Sequence, residues 1–297
     1  MPNKIIAVPL DESLGSFIGK KGSEGSITFY NRKLDDGVLV AMAPAELGEK
    51  ISALPSTLLM AEQIVVSTST IDKLFGEVLI ASLLLGKRII FTTDGDISGL
   101  IAGMDTKLFT FSDRNSLIDK ILAYKTESHV GETMVEVDRC FNVKGSGTVL
   151  LGVVTRGCVA KHDKLISKDG KEITVRSIQC QDVDVESAEI GSRVGLAIKG
   201  ADENDLKKGD ILSKTKTPAV SFINVELVQS PLAKEAISTG KQYSFFFGFS
   251  SCSCMVEAIS SRKVSLKLDK GMQIQKGDTI MLGRQNAPRL FASGRVE

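Results

Sequence analysis

Two rhythms of apolar residues divide the chain. Up to about residue 125, short β-branched or aliphatic runs recur at Lys4–Val8, Ile27–Tyr30, Val38–Met42, Gln63–Ser67, Arg88–Thr92 and Lys107–Phe111. Most of the gaps between them have helical periodicity, and helices are expected over Pro44–Ala53, Ile71–Leu85, Asp96–Met104 and Arg114–Tyr124. The Ile71–Leu85 segment is apolar on most faces (Leu74, Val78, Leu79, Leu83, Leu84), as suits a helix held between a sheet and another domain. Gly86 stands where a helix-ending glycine belongs, and Ser112–Ser116 reads as a polar loop into the last helix. Strands alternating with helices predict a mainly parallel, doubly wound sheet covered on both faces.

Thr126–Gly131 reads as a linker, and beyond it the pattern becomes all-β. Alternating runs are punctuated by Lys144-Gly145-Ser146-Gly147, Lys168-Asp169-Gly170, Ile190-Gly191-Ser192, Lys208-Gly209-Asp210 and Lys270-Gly271, a cadence of small barrels or sandwiches. Leu206–Leu212 is echoed by Ile274–Ile280: each sets a Gly-Asp turn before an apolar strand, with Thr215–Pro218 between them. The expected organisation is an α/β domain over 1–127 and two β domains over 130–215 and 216–297.

Composition changes this picture little. The 297 residues are 42% hydrophobic and 25% charged, the balance of a globular protein. The apolar stretches within Val78–Leu85 are far too short to span a bilayer, so no membrane partner is expected. The N-terminus enters a strand-like segment with no signal-peptide pattern. Five scattered cysteines suggest reduced thiols and a cytoplasmic location. Residues 1–127 carry 13 Lys+Arg against 16 Asp+Glu, and residues 128–297 carry 24 against 20. The C-terminal excess permits a nucleic-acid surface without demonstrating one.

Candidate chemistry is sparse. After the first strand, where a nucleotide-binding chain carries a glycine-rich loop, stands Pro9-Leu10-Asp11-Glu12-Ser13-Leu14-Gly15. Pro9 has no amide hydrogen, and Asp11-Glu12 repel a phosphate. A P-loop reads G-x-x-x-x-G-K-S/T; Gly15–Lys21 lacks the first glycine, which is Leu14, and the hydroxyl, which is Lys21. Without them the backbone cradle and the magnesium ligand are both missing, and a surface helix and turn are expected there. Ala41-Met42-Ala43-Pro44 replaces D-x-x-G, and Thr93-Asp94-Gly95-Asp96 fits N/T-K-x-D except for Asp94 in place of lysine. Thr93 and Asp96 are thus a weak nucleotide-binding remnant, in which Asp96 either accepts from a guanine edge or caps the helix beginning at Ile97. Cys252 and Cys254 share a strand face without a second ligand pair, so structural thiols are expected rather than zinc. His129 and His162 are isolated, and Phe245–Phe249 is either a base-stacking platform or core. No catalytic residue, metal site or cofactor is expected.

Longer strings are more specific. Val137–Gly152, continued by Val153–Gly157, resembles the opening hairpin of domain two in translational GTPases, where an acidic residue and a phenylalanine precede Gly-x-Gly-Thr-Val. Gly191–Gly200 and Asp205–Leu212 resemble that domain's closing strands in order and spacing, and Pro288–Val296 is similar to the end of a shortened domain three. The family is that of elongation factor Tu and the selenocysteine-specific factor SelB, and Arg176–Val185 is more SelB-like. The order of N-terminal elements matches the family's G domain, with Ile27–Tyr30 and Val38–Met42 as its antiparallel pair.

The resemblance implies a degenerate GTPase-like α/β domain followed by two elongation-factor β-barrels. Because the P-loop, D-x-x-G and the lysine of N/T-K-x-D are absent, GTP hydrolysis does not carry over, and GTP with magnesium is expected only if the family activity survives. What the family implies instead is an aminoacyl-tRNA surface on domain two, at Asp138, Arg139 and Phe141, with Arg139 at a position often acidic in elongation factor Tu. Lys144, Arg156, Arg176 and Arg193 are candidate phosphate partners, while Phe141 is equally a candidate for barrel core. Three functions compete: a module binding tRNA or the ribosome, an atypical GTP-binding factor using Asp96, and a regulatory subunit docking on another translation factor.

Overall fold

The computed structural model describes residues 3–35, 37–45, 47, 53–124 and 131–297. Strands β1 (Lys4–Ala7), β2 (Lys20–Lys21), β3 (Ile27–Leu34), β4 (Gly37–Pro44), β5 (Gln63–Val66), β6 (Arg88–Thr92) and β7 (Phe109–Ser112) form one sheet in the order β2-β3-β4-β1-β5-β6-β7. β4, β1, β5, β6 and β7 run parallel, and β3–β4 is an antiparallel hairpin. Helices α1 (Glu12–Ile18), α2 (Ala53–Met60), α3 (Lys73–Leu84), α4 (Ser98–Ile101) and α5 (Leu117–Leu122) accompany it. Alternation along each strand sends successive side chains to opposite faces. Ile5, Phe29, Val40, Ile64 and Ile89 join one core with α2 and α3, while Ile6, Tyr30, Leu39, Val65 and Ile90 join another with α1 and α5. Burial on both faces explains why these strands read as continuous apolar runs.

Several expected elements shift. Pro44 closes β4 and Ala53 opens α2, whereas residues 46 and 48–52 of the expected Pro44–Ala53 helix lie outside the described residues. α2 itself was not expected; it tolerates Pro55 because a first-turn residue needs no amide hydrogen. The helix expected over Asp96–Met104 shrinks to four residues, and α5 begins only at Leu117 because Asp113 Oδ1 accepts from Ser116 N at 2.9 Å in a preceding turn. α3 starts where Asp72 accepts from Leu74 N and Phe75 N, both at 2.9 Å. Of the surface helix and turn expected over Gly15–Lys21, the helix is present as the end of α1, and β2 stands where the turn was expected. Of the expected linker, residues 126–130 lie outside the described residues, as does His129.

The second unit contains β8 (Met134–Val143), β9 (Gly147–Arg156), β10 (Cys158–Ala160), β11 (Lys164–Ile166), β12 (Glu172–Cys180), β13 (Val183–Val185), β14 (Ser187–Glu189), β15 (Arg193–Lys199) and β16 (Ile211–Ser213), with β10 and β14 forming a two-stranded sheet of their own. The other seven form a sheet in the order β11-β16-β8-β9-β15-β12-β13, and an added β11–β12 pairing joins its two sides into a ring. Gly145 and Gly147, at φ +90° and +80°, turn the β8–β9 hairpin. The last unit is a closed barrel, β17-β20-β19-β18-β21-β22, of β17 (Val220–Gln229), β18 (Gln242–Phe247), β19 (Ser250–Ser260), β20 (Lys263–Met272), β21 (Thr279–Gly283) and β22 (Leu290–Val296).

The sequence echo is also a structural one. Gly209 and Gly277 both adopt positive φ, and each following aspartate accepts from the amide three residues back: Lys207 N to Asp210 Oδ2 at 2.9 Å, Gln275 N to Asp278 Oδ2 at 2.8 Å.

The N-terminal sheet and the last barrel share a core. Phe246, Phe249, Met281 and Leu290 cluster with Phe29, Leu54 and Phe75, and Phe249 meets Phe29 edge-on with ring centroids 6.5 Å apart. Arg289 clamps Glu77 on α3, its Nη2 2.6 Å from Oε2.

Candidate nucleic-acid interface and nucleotide cleft

In the cleft after β1, Asp11 caps α1. Its Oδ1 accepts from Leu14 N at 3.1 Å and Ser13 Oγ at 2.7 Å, and Arg114 lies 3.6 Å from Oδ2. Burial pushes this carboxyl up, but the hydrogen bonds from Ser13 and Leu14 outweigh it and hold it below its ordinary range. The helix N-terminus, where orphan amides and the dipole favour an anion, therefore already carries the chain's own carboxylate. Gly15 serves packing: a Cβ there would stand 2.6 Å from the Tyr30 ring, and one on Gly19 would stand 2.7 Å from the Asn31 backbone. Ala41–Pro44 is a buried strand end.

Thr93 and Asp96 are both exposed. Asp96 Oδ1 accepts from Ser98 N at 2.9 Å, and that bond draws the carboxyl below its ordinary value. It closes a turn one residue before α4, whose N-cap position is Ile97 and carries no side-chain cap, so Asp96 is not the helix cap the sequence suggests. Gly95 N donates to Thr68 Oγ1 at 2.9 Å, and a Cβ on Gly95 would lie 2.2 Å from the Thr68 carbonyl, so this loop is held against β5's C-terminal extension.

The residues proposed for RNA fall into three places. Asp138, Arg139 and Arg193 meet where the first β unit faces the N-terminal sheet. Asp138 is buried, its Oδ2 accepting from Arg193 Nη2 at 2.7 Å and its Oδ1 lying 3.4 Å from Lys208 Nζ. The Arg193 guanidinium stacks 3.5 Å over the Phe29 ring; burial pushes its pKa down, opposed by Asp138. Arg139 is exposed and donates to the Glu24 carbonyl at 2.9 Å. Lys144 and Arg176 stand exposed at the far end of the β8–β9 hairpin, near Gly147, with half-buried Phe141 opposite Val149. Cys140, not Phe141, packs against the barrel core, so Phe141 belongs to the outer face. Arg156 is elsewhere, bound to Gln275 at 2.8 Å and paired with Asp278 of the last barrel.

Three contributors were missed from sequence. Lys208 donates to Ser26 Oγ at 2.8 Å and sits 5.4 Å over the Phe249 ring, although its Lys-Gly-Asp string signalled only a turn. Ser23 accepts from Arg193 Nη2 at 2.9 Å. Glu136 is buried beneath them, accepting from Phe249 N at 2.5 Å against Gly248, whose missing Cβ makes room for the carboxylate. Burial pushes the Glu136 carboxyl up to about 8, partly offset by the Phe249 amide.

The phenylalanine run is core rather than a stacking platform: Phe245 is buried inside the last barrel, and Phe246 and Phe249 in the shared core. Cys252 and Cys254 are unbridged, and burial pushes both thiols up to about 12, leaving them inert. His162 is exposed in a turn at φ +68°. Among the described residues no group of three or more His, Cys, Asp or Glu is placed to hold a metal. No helix among them is long and apolar enough to cross a membrane.

Residues 147–213 match the family described as elongation factor Tu domain 2. The selenocysteine-specific elongation factor of Methanocaldococcus jannaschii is 35% identical over 130 residues, covering 36% of this chain and 28% of that protein. Uncharacterized protein MJ0325 of the same organism is 30% identical over 281 residues, 91% of each chain. A bacterial selenocysteine-specific factor, EF-Sec, superposes with a TM-score of 0.83 at 18% identity, covering 99% of this chain and 58% of that one. SelB of Methanococcus maripaludis, solved with the GTP analogue GPPNHP, gives 0.82 at 19% identity over all of this chain and 79% of that one. This chain belongs to the translational GTPase family of the elongation factor Tu/SelB type. The likeness to the solved factors is one of fold. The matched segment is about a quarter of the length of the M. jannaschii selenocysteine-specific factor.

Proposed function

We propose that this elongation factor Tu/SelB-like protein has lost GTP binding and hydrolysis and acts as a tRNA- or ribosome-binding module of the cytoplasm, without cofactor. The observation that carries the first half is Asp11: the amides and positive helix end that would receive phosphate are engaged by a carboxylate of the chain itself. The loss of the D-x-x-G turn to a buried strand end, and the engagement of the Asp96 carboxylate by the Ser98 amide, support the same reading. The RNA half rests on Arg139 and Lys208 gathered over Asp138 and Arg193, with Phe141 and Lys144 on the outer hairpin and Arg176 of β12 beside it.

Calorimetry with GTP or GDP and magnesium is expected to show no binding at tens of micromolar nucleotide; a low-micromolar Kd overturns the first half. Filter binding is expected to show tRNA affinity that falls steeply with salt. Phe141→Ala should lose about 1–3 kcal/mol of that affinity by removing a stacking face. Absence of RNA binding at low salt overturns the second half.

A further inference from the structure

We infer that the loop Gly22–Ser26 is a displaceable occupant of a phosphate-group site formed by Arg139, Arg193 and Lys208. The inference rests on the RNA-binding reading above and names what holds the site in the absence of RNA.

Three cations from β8, β15 and the turn before β16 converge on five residues of the N-terminal unit. Arg139 donates to the Glu24 carbonyl at 2.9 Å, Arg193 to Ser23 Oγ at 2.9 Å and Lys208 to Ser26 Oγ at 2.8 Å. Each acceptor is a neutral oxygen. The loop's one carboxylate, on Glu24, turns instead to Lys21 at 3.0 Å. Asp138 pairs with Arg193 and Lys208, so three cations face a single carboxylate. Glu136 adds little negative charge at neutral pH, because burial keeps its carboxyl protonated up to about 8.

A second observation points to a missing acceptor. Arg193 is nine-tenths buried, and its Nη1 has no hydrogen-bond partner. A buried donor left unpaired is costly, and such groups in native proteins call for a ligand, an ion or water. The loop's oxygens carry no charge, so a phosphate would add ion pairing, and with arginine bidentate geometry, to the bonds these cations already make. On that ground it competes with the hydroxyls and carbonyl of the loop.

The loop is fitted to this task and is only lightly held. A Cβ on Gly25 would lie 2.7 Å from Arg139 Nη2, so glycine lets the guanidinium reach the backbone. It is tied to the sheet by Gly22 N to the Phe29 carbonyl at 2.8 Å, Phe29 N to the Ser23 carbonyl at 3.1 Å and Ala45 N to the Ser26 carbonyl at 2.9 Å. Glu24 and Gly25, and the Ser23 and Ser26 hydroxyls, can therefore turn away while the backbone ties stay in place.

The test uses the full chain, unfractionated tRNA and filter binding over a range of salt. Ser23→Ala combined with Ser26→Ala removes two neutral competitors and is expected to tighten tRNA binding about threefold to tenfold. The salt slope should not change, because no phosphate contact is lost. Ser26→Glu places an anion beside Lys208 and is expected to weaken binding about tenfold. Lys208→Ala should lower the salt slope by about one unit. If wild type binds tRNA but the serine variants leave its affinity unchanged, the loop is not an occupant and the inference falls alone. If wild type binds no tRNA at low salt, the RNA-binding reading falls and takes the inference with it.

Discussion

The N-terminal unit meets its two neighbours through surfaces of different balance, mainly apolar against the last barrel and mainly polar against the first β unit. Against the last barrel it presents Phe29, Leu54 and Phe75, which merge with Phe246, Phe249, Met281 and Leu290 into one core. Against the first β unit it presents a polar loop, whose carbonyl and hydroxyls are held by Arg139, Arg193 and Lys208. Apolar burial is non-directional and lost only by exposing the surface to water, so the first contact behaves as part of the fold. Hydrogen bonds to neutral oxygens can be exchanged for water or another acceptor at little net cost, so the second is the contact that a ligand can remodel. One junction fixes the arrangement of units, and the other leaves chemistry available.

The contrast is sharpest at Phe249. Phe249→Ala should cost about 3–5 kcal/mol of stability, read by denaturant unfolding, because it empties a buried ring site shared by two units. A cost below about 1 kcal/mol would mean that the shared core is loosely packed.

Beneath both junctions, Glu136 sets a pH dependence. Its folded pKa of about 8 stands above the ordinary 4.5. Between those values the folded protein holds a proton that the unfolded chain has released, so stability falls as pH rises through this window. The slope is at most about 1.4 kcal/mol per pH unit. Asp138 and Asp278 nearby push the carboxyl up, whereas Lys208 pulls it down. Glu136→Gln should remove about 2–3 kcal/mol of the stability difference between pH 5 and pH 7. An unchanged pH profile would show that water reaches the carboxylate.

The smallest effect is expected at the polar junction. Arg139→Ala loses one exposed hydrogen bond to a neutral carbonyl and should cost about 1 kcal/mol or less. A loss equal to that of Phe249→Ala would erase the distinction between the two junctions.

Much of the fold is legible in the sequence because it depends on local periodicity. The central strands β1, β3, β4, β5 and β6 fall within a few residues of their expected places, since their apolar residues are buried on both faces, whereas the exposed two-residue β2 left no apolar run to read. The twin Gly-Asp turns repeat because one aspartate side chain closes each turn locally. α2 was hidden because Ala53–Met60 is buried on most sides and carries Pro55, leaving no amphipathic stripe to read. The site was legible as residue types but not as partners. Nothing in the strings around Arg193, Phe29 and Ser23 links residues 164 or more positions apart, and Asp138 gives no sign that its carboxylate is already paired. Phe245 and Phe246 are adjacent in sequence yet enter different cores, because a strand sends neighbours to opposite faces and here each face meets a different unit.

The Asp11 cap also bears on how this sequence can change. Removing the carboxylate to open a cradle for an incoming anion strips α1 of its cap, at about 1 kcal/mol. The first P-loop glycine, at Leu14, and the hydroxyl, at Lys21, would both have to arrive before any ligand repaid that loss. Each intermediate sequence along that route is less stable than its starting point and gains no binding in return. A single substitution at residue 11 therefore removes a cap without opening a working site, because the same carboxylate both ends the helix and fills the place of an incoming anion.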